Sequence, residues 1–354
     1  MNVDSIFADV ARRDWERDVQ GTPLRIAVVG LGWFGHDVGL PAIVDSAYCE
    51  ATVAVSGSKG KAERVAAEND MEAGITYEEY HDGDAVEEYD AVYVVTPNAL
   101  HLPYVETAAS LGKHVLCEKP LEASYERARK LVDACSEADV RLMTAYRMQT
   151  TPVVRRMKEL IKEGVIGDPV RAEGSFTFRK LDSGDPDEWR LDSDLAGGGA
   201  LFDIGVYPLN TIRFVLDEEP TAVRGHEVSI HEGFEDVDEH VSFQLEFRGG
   251  ATAGCHASYN AYPQNRLRVI GTDGRVELDP VFGVQVDRTL EIESVDGRAT
   301  VGDDTDEMRE EFDYFATGVL SDGPLEPDGD DGLRDMAIVD AIYASHEEGE
   351  LIEL

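Results

Sequence analysis

Residues 24–35 read LRIAVVGLGWFG, an apolar run that ends in Gly30, Gly32 and Gly35 at the G-x-G-x-x-G spacing. The length and β-branched content of 24–29 fit a buried parallel strand. The glycines then allow a tight turn, a close approach of backbone to a pyrophosphate, and packing of the next helix on that strand. The helix N-terminus supplies the anion site, so the stretch reads as a dinucleotide site made of Gly30, Gly32, Trp33, Phe34 and Gly35. About twenty residues further on, an NAD site carries an Asp or Glu for the ribose hydroxyls. Here the chain has Val55, Ser56, Gly57, Ser58, Lys59, Gly60 and Lys61 instead. Two hydroxyls and two ammoniums suit a 2′-phosphate, which makes NADP the expected cofactor and Ser56, Ser58, Lys59 and Lys61 its ligands. Lysine is scarce in this chain, eight of 32 basic residues, so a pair at this place is unlike a solvated surface turn.

Two more segments, VYVVTPN at 92–98 and HVLCEKP at 114–120, finish in polar residues beside a proline. Ligands of an open α/β sheet lie beyond the carboxyl ends of its strands, which directs Thr96, Asn98, His101, Glu118 and Lys119 toward the cofactor. Further along, Asp203 and Tyr207 stand four residues apart in a helical run, so they project from one face and can meet one ligand. The glycines at 197–199 and the apolar neighbours favour burial of Asp203.

The elements that must hold these residues fall into two patterns. Strands at 24–29, 51–56, 91–96, 114–118 and 141–146 alternate with helices, the mark of a parallel sheet in an α/β domain of the Rossmann type. From about residue 172 strands follow one another, at 171–179, 222–230, 240–247, 251–259, 266–270 and 275–278. Helical runs at 151–163, 200–216, 306–319 and 333–347 would cover one face, giving an α+β domain on a large open mixed or antiparallel sheet. The boundaries read from this are a helical extension over 1–22, a cofactor domain over 23–147 and a substrate and oligomerisation domain over 148–354. Phe7, Ala11, Trp15 and Val19 supply the i+4 stripe of the N-terminal helix.

Length and composition agree. At 354 residues and 42% hydrophobic content the chain can bury two cores. No stretch is apolar enough to span a membrane, and the N-terminus lacks the apolar segment of a secretory signal, so a cytoplasmic protein is expected. Cys49, Cys117, Cys135 and Cys255 have no metal-ligand spacing and read as small buried thiols, with no metal expected. The net charge of −40, from 72 acids and 32 bases, opposes binding to nucleic acid or anionic membrane. Spread along the whole chain, it fits a surface adapted to molar salt, where the Debye length shrinks to about 3 Å.

GLGWFG, TPNALH, KHVLCEKPL and GGGALFDIGVYPLN, in this order and spacing, resemble the glucose-fructose oxidoreductase and inositol dehydrogenase family over nearly the whole chain from Leu24. The resemblance implies that Lys119 lies by the nicotinamide and substrate, that a cis bond joins it to Pro120, and that Arg147, Trp189 and Arg190 line the cleft, Arg190 touching cofactor or substrate. It also implies that Tyr207 is the general acid/base, with Asp203 orienting the sugar hydroxyl or the lysine. A phenol with an ordinary pKa near 10 is a weak base, and the Lys119 charge is what would make it usable. Tyrosine at 207, where inositol dehydrogenases have histidine, implies oxidation of a cyclic aldose at C1, D-xylose being the sugar expected. A trans-dihydrodiol dehydrogenase or a keto-sugar reductase fits the same motifs. A non-catalytic nucleotide-sensing regulator is disfavoured because Lys119, Asp203 and Tyr207 are all present. The family's exposed second sheet implies a homodimer or homotetramer.

Overall fold

The computed structural model describes residues 10–17, 19, 21–183, 188–295 and 297–354. They form two compact units. The first comprises Trp15–Arg147 and Met308–Arg334; the second comprises the described residues up to Asp14, Met148–Glu307 and Asp335–Leu354.

The first unit is built on six strands, β1 (Leu24–Val29), β2 (Cys49–Ser56), β3 (Ala73–Thr76), β4 (Ala91–Val94), β5 (His114–Glu118) and β6 (Leu142–Ala145), all parallel and ordered β3-β2-β1-β4-β5-β6. This is the doubly wound order, with its topological switch between β1 and β4 where the sequence places the glycines. Apolar–polar alternation is absent from β1: Ile26, Ala27, Val28 and Val29 are all buried, as a strand covered on both faces requires. β3 lies outside the expected strands, because AGIT is too short to show a period.

The expected domain boundary at 148–354 is corrected by the return of the chain. Residues Met308–Arg334 belong to the first unit, where Phe312 meets Tyr93 edge-on at 5.0 Å and Thr144 donates its amide to the Pro327 carbonyl at 3.0 Å. The expected N-terminal helix also fails where it is described. Residues 10–15 form turns, and Trp15 is buried edge-on against Tyr314 at 5.4 Å, a contact that takes the place of helical stacking; Phe7 lies outside the described residues.

In the second unit nine strands form one mixed sheet, in the order β14-β13-β12-β11-β7-β10-β9-β8-β15. Their ranges are β7 (Pro169–Arg179), β8 (Pro220–Val228), β9 (His240–Phe247), β10 (Thr252–Ser258), β11 (Asn260–Gly271), β12 (Gly274–Leu278), β13 (Arg288–Ser294), β14 (Gly297–Asp303) and β15 (Ile352–Glu353). Only β7 and β10 pair in parallel. On β9, Val241, Phe243, Leu245 and Phe247 are buried while Ser242, Gln244 and Glu246 are exposed, so one face packs and the other is polar. The helix Val206–Leu216 packs on the buried face against β7 and the helix Pro152–Lys162. The β13–β14 hairpin, rich in charges, escapes the hydrophobic pattern; it is held by ion pairs such as Arg275 to Glu291 at 2.7 Å and Arg298 to Glu291 at 2.5 Å.

Candidate functional site

The glycine turn after β1 behaves as its spacing requires. Gly30 has φ +108°, and a Cβ there would lie 2.5 Å from the Val95 carbonyl oxygen; a Cβ on Gly35 would lie 2.2 Å from the Gly30 oxygen. At Gly32 a Cβ would meet nothing within 4 Å, so the middle glycine faces open space, the room a pyrophosphate needs. Thr96 adds a buried hydroxyl without a hydrogen-bond partner, its methyl group 3.2 Å from where the Gly30 Cβ would stand. These features fit a dinucleotide lying over the turn. The helix that follows opens with a π-helical turn, Phe34–Gly39, and Trp33 before it is 65% exposed.

The turn after β2 is more constrained than the sequence suggests. Ser58 caps the helix Lys59–Glu68, its hydroxyl accepting from the Lys61 amide, and Ser56 is buried with its hydroxyl accepting from the Ser58 amide at 3.3 Å. The Lys61 ammonium donates to the Leu31 carbonyl, inside the glycine turn. Lys59 instead reaches Glu79 at 2.7 Å, a carboxylate that also closes the capping box of the helix Tyr77–His81. Lys59 and then the Thr76 amide hold the Glu79 carboxyl below the usual carboxylate range. Lys59, expected at the 2′-phosphate, thus has its charge matched by a partner twenty residues away, which no local pattern announces.

Beyond β4 and β5 the expected residues divide. Asn98 is buried at the start of the short turn Asn98–Leu100. Glu118 is buried and accepts from the Tyr93 hydroxyl at 2.7 Å, while burial, with the Glu118 charge next, pushes the Tyr93 phenol well above its ordinary range and keeps it a donor. Lys119 is partly buried, and its bond to Pro120 is cis, as the resemblance implies. His101 is a correction. It is fully buried with Nε2 2.9 Å from the Thr96 carbonyl and Nδ1 3.0 Å from that of Leu121, so the neutral ring donates its one N–H to one of the two carbonyls and sits between the two strand ends. Burial lowers its pKa. Arg147 is buried at the end of this unit.

In the second unit, Asp203 lies in a π-helical turn, Leu201–Gly205, and Tyr207 in the helix Val206–Leu216 that continues it. The expectation of one unbroken α-helix is thus corrected, and π turns recur at functional sites. Asp238 sets the start of this helix: its carboxylate accepts from the amides of Gly199 and Leu201, both at 2.7 Å, and a Cβ on Gly199 would lie 2.2 Å from the Asp238 carbonyl oxygen. The glycine run therefore exists for this close approach. Further along the helix, Asn210 accepts from Gln149 at 2.9 Å and donates to Asp335 at 2.7 Å, which locks its rotation. Tyr207 is buried between the rings of Phe176, 5.6 Å away, and Phe282, 6.0 Å away.

Asp203 sits in a polar cluster that the sequence shows only in part. The Tyr259 hydroxyl donates to its Oδ2 at 2.9 Å, and Arg190 Nε lies 3.5 Å from the same oxygen. Arg190 also donates to Glu188 at 2.9 Å, and Lys180 to the same Glu188 oxygen. Burial, with the Asp203 charge second, raises the Tyr259 phenol well above its ordinary range, so it serves Asp203 as a neutral donor. For Arg190 burial opposes the charge, and Asp203, Tyr259 and Glu188 outweigh it and raise the pKa. The guanidinium also stacks over Trp189 at 4.4 Å. Glu188 and Lys180 escape the sequence reading, whereas Tyr259, with Asn260, is a sugar-pocket candidate in the sequence left outside the catalytic set. The one sequence signal was the position of Tyr259 at the end of an expected strand.

Comparison with known proteins decides the family. Residues 24–146 match the oxidoreductase family with an NAD-binding Rossmann fold, and residues 154–277 match the GFO/IDH/MocA C-terminal domain. The D-xylose 1-dehydrogenase [NADP(+)] of Haloarcula marismortui is 48% identical over the full length of both chains. The chain belongs to the GFO/IDH/MocA family of oxidoreductases. A second relative, the D-xylose 1-dehydrogenase (NADP(+)) 2 of Haloferax volcanii, is 33% identical over 94% of this chain and all of its own. Among solved structures, the aldose-aldose oxidoreductase of Caulobacter crescentus, complexed with glycerol, superimposes with a TM-score of 0.88 at 31% identity, covering 94% of this chain and 100% of that one. A 3-ketoreductase from Actinomadura kijaniata with NADP and TDP-benzene gives 0.80 at 29% identity, over 92% and 98% of the two chains. As a member of the GFO/IDH/MocA family, the chain carries the motifs that suggested it, GLGWFG, TPNALH, KHVLCEKPL and GGGALFDIGVYPLN, on the elements described above. Among the described residues no group of side chains is placed to hold a metal ion, and no helix is long and apolar enough to cross a membrane.

Proposed function

We propose that this chain oxidises a cyclic aldose, D-xylose above others, at C1 with NADP, giving the lactone. The observation that carries this is the full-length 48% identity to an NADP-dependent D-xylose 1-dehydrogenase. When bound, NADP supplies the hydride acceptor. Gly30, Gly32, Trp33, Phe34 and Gly35 hold the pyrophosphate side of the cofactor, Ser56, Ser58 and Lys61 its 2′-phosphate, and Thr96, Asn98 and Glu118 border the rest.

Tyr207 takes the proton of the anomeric hydroxyl, and the Lys119 ammonium stabilises the alkoxide that develops. Asp203 accepts a hydrogen bond from the sugar and so fixes its orientation, its own position set by Tyr259 and Arg190. The cleft role of Arg190 is thus exercised through Asp203, and contact with the cofactor is the second role open to it. Initial rates with NADP and NAD on a panel of pentoses and hexoses, in molar salt, test the reading. Absence of aldose-dependent NADP reduction would sink it.

Two further statements belong to the same proposal. A homodimer or homotetramer forms through the polar face of the nine-stranded sheet, which the alternation on β9 leaves exposed; light scattering measures it. The setting is cytoplasmic, supported by four buried cysteines, none of them in a disulfide.

A further inference from the structure

Between β12 and β13 the chain makes an irregular loop, residues 279–287, whose Val281 and Phe282 are fully buried. Loops run over the surface because their backbone groups need partners, so one that dips inward must find them in side chains. Three residues supply them here. Arg288, itself only 1% exposed, donates to the carbonyls of Val281 at 2.9 Å and of Gly283 and Val286 at 3.3 Å. Asn265 Oδ1 accepts from the amides of Val281, at 3.1 Å, and Phe282, at 2.5 Å. Glu307 accepts from the Gln285 amide at 2.7 Å and pairs with Arg288 at 3.2 Å, neither charged side chain being exposed. Gln285 stands at φ +53°, a left-handed backbone that a non-glycine residue keeps only where its surroundings impose it, and such positions gather at functional sites.

The loop carries one ring to the helix of Tyr207. Phe282 lies 6.0 Å from Tyr207 and 5.8 Å from Phe176, and Phe176 lies 5.6 Å from Tyr207, so the three rings close a triangle at contact separations. Phe176 is fixed by its strand, β7. Asn265, directly opposite Phe176 on β11, shares that face of the sheet. Phe282 belongs to no strand or helix, and its place depends on the tethers of the loop. Burying an ion pair is a poor way to gain stability, since apolar residues of similar size do as well or better. What Arg288 adds is a fork of directed donors, which sets the path of the backbone and with it the ring.

We propose that Arg288, Glu307 and Asn265 are positioning residues: they hold the 279–287 loop so that Phe282 wedges against Tyr207 and fixes the direction of its hydroxyl. The inference rests on Tyr207 as the base in the aldose oxidation proposed above and adds no step to it. A misplacement of about 1 Å caused far from the chemistry costs up to about a hundredfold in rate, so slack in the loop enters kcat and not binding.

Asn265→Ala removes the acceptor of two loop amides, and Asn265→Asp keeps it. With D-xylose and NADP, Asn265→Ala is expected to lower kcat by about tenfold with both KM values within about twofold, and Asn265→Asp to hold kcat near that of the wild type. The place of the ring is read without substrate or cofactor, by fluorine NMR of the full chain labelled with meta-fluorotyrosine, the Tyr207 signal being the one that Tyr207→Phe removes. That signal moves in Asn265→Ala and keeps its wild-type position in Asn265→Asp. A lowered melting temperature with the Tyr207 signal and kcat unchanged makes the tether merely structural and overturns the proposal. So does an equal loss in both Asn265 variants. Should Asn265→Ala not fold, Phe282→Leu decides, since it keeps the hydrogen bonds of the loop and an apolar side chain: an unchanged kcat there overturns the proposal, and a fall of about tenfold with unchanged KM upholds it. A Tyr207 signal that moves in Asn265→Ala but not in Asn265→Asp, in a chain that oxidises no aldose, upholds the tether and sinks the aldose reading.

Discussion

The Tyr259 hydroxyl donates to Asp203 Oδ2 at 2.9 Å, joining the end of β10 to the π turn that precedes Tyr207. Asp203 therefore has a fixed direction before any ligand arrives. Tyr259→Phe keeps the ring packed on Phe178 and Phe234 and deletes only this bond. A hydrogen bond to a charged group is worth roughly 1.5–3 kcal/mol, so kcat for pentose oxidation is expected to fall by about tenfold or more. NADP affinity, read by fluorescence, should not move. Unchanged kcat would remove Asp203 from the orienting role.

Lys119→Ala is expected to lower turnover by about two orders of magnitude while NADP still binds, the pattern of a lost partner for transition-state charge. Tyr207→Phe should lose activity on a similar scale with an unchanged melting temperature, because its ring contacts with Phe176 and Phe282 survive. Near-normal turnover in either variant would place the proton transfer elsewhere.

The Lys59 to Glu79 ion pair holds one of the two ammoniums expected at the 2′-phosphate. Because the folded Glu79 pKa lies below its unfolded value, the pair is closed throughout the neutral range and opens only as pH falls through that lowered value. At pH 7 and low salt, Glu79→Gln should free Lys59 and lower KM for NADP by about threefold without changing that for NAD, a size typical of one exposed charge contact. In molar salt, with a Debye length of about 3 Å, the effect should vanish. Lys61→Ala should raise KM for NADP at either salt, since its ammonium is anchored on the glycine turn. Equal effects on both cofactors would mean that the 2′-phosphate lies elsewhere.

His101 is buried, and its pKa is depressed in the folded state. A base of that kind leaves stability whole above its unfolded pKa of about 6.5 and erodes it as pH falls below that, by at most about 1.4 kcal/mol per unit. The melting temperature should therefore drop between pH 7 and 5, and His101→Gln should flatten that slope, whatever it does to stability at pH 7. A parallel slope in the variant would assign the loss to other groups, His114 first, since burial lowers it too.

The parallel strands were legible because Val, Ile and Ala runs buried on both faces leave an unbroken apolar signal, and the glycine turn was legible because only glycine fits where Gly30 meets the Val95 carbonyl. β13 and β14 were not, since their cross-strand arginine and glutamate pairs are set by register and not by hydrophobicity. The same applies to the site. Lys119, Asp203 and Tyr207 stand in dense motifs, whereas Tyr259, Glu188 and Glu79 act through partners brought close by the fold. The helix over 200–216 was legible as helical, but its π turn was not, and neither was the Asp238 carboxylate that accepts from the amides of Gly199 and Leu201 at its start, since Asp238 lies more than thirty residues away in sequence.

The return of Met308–Arg334 to the first unit has a consequence for synthesis. Tyr93 and Thr144 lie in sheet strands made early, yet Phe312 and Pro327, which close over them, leave the ribosome only after every strand of the second sheet except β15 has been translated. The nucleotide-binding half is thus emitted first and completed last. During the interval its β4 and β6 expose apolar surface that a chaperone can hold, and a nascent chain halted after residue 147 is an unfinished domain rather than a free-standing one.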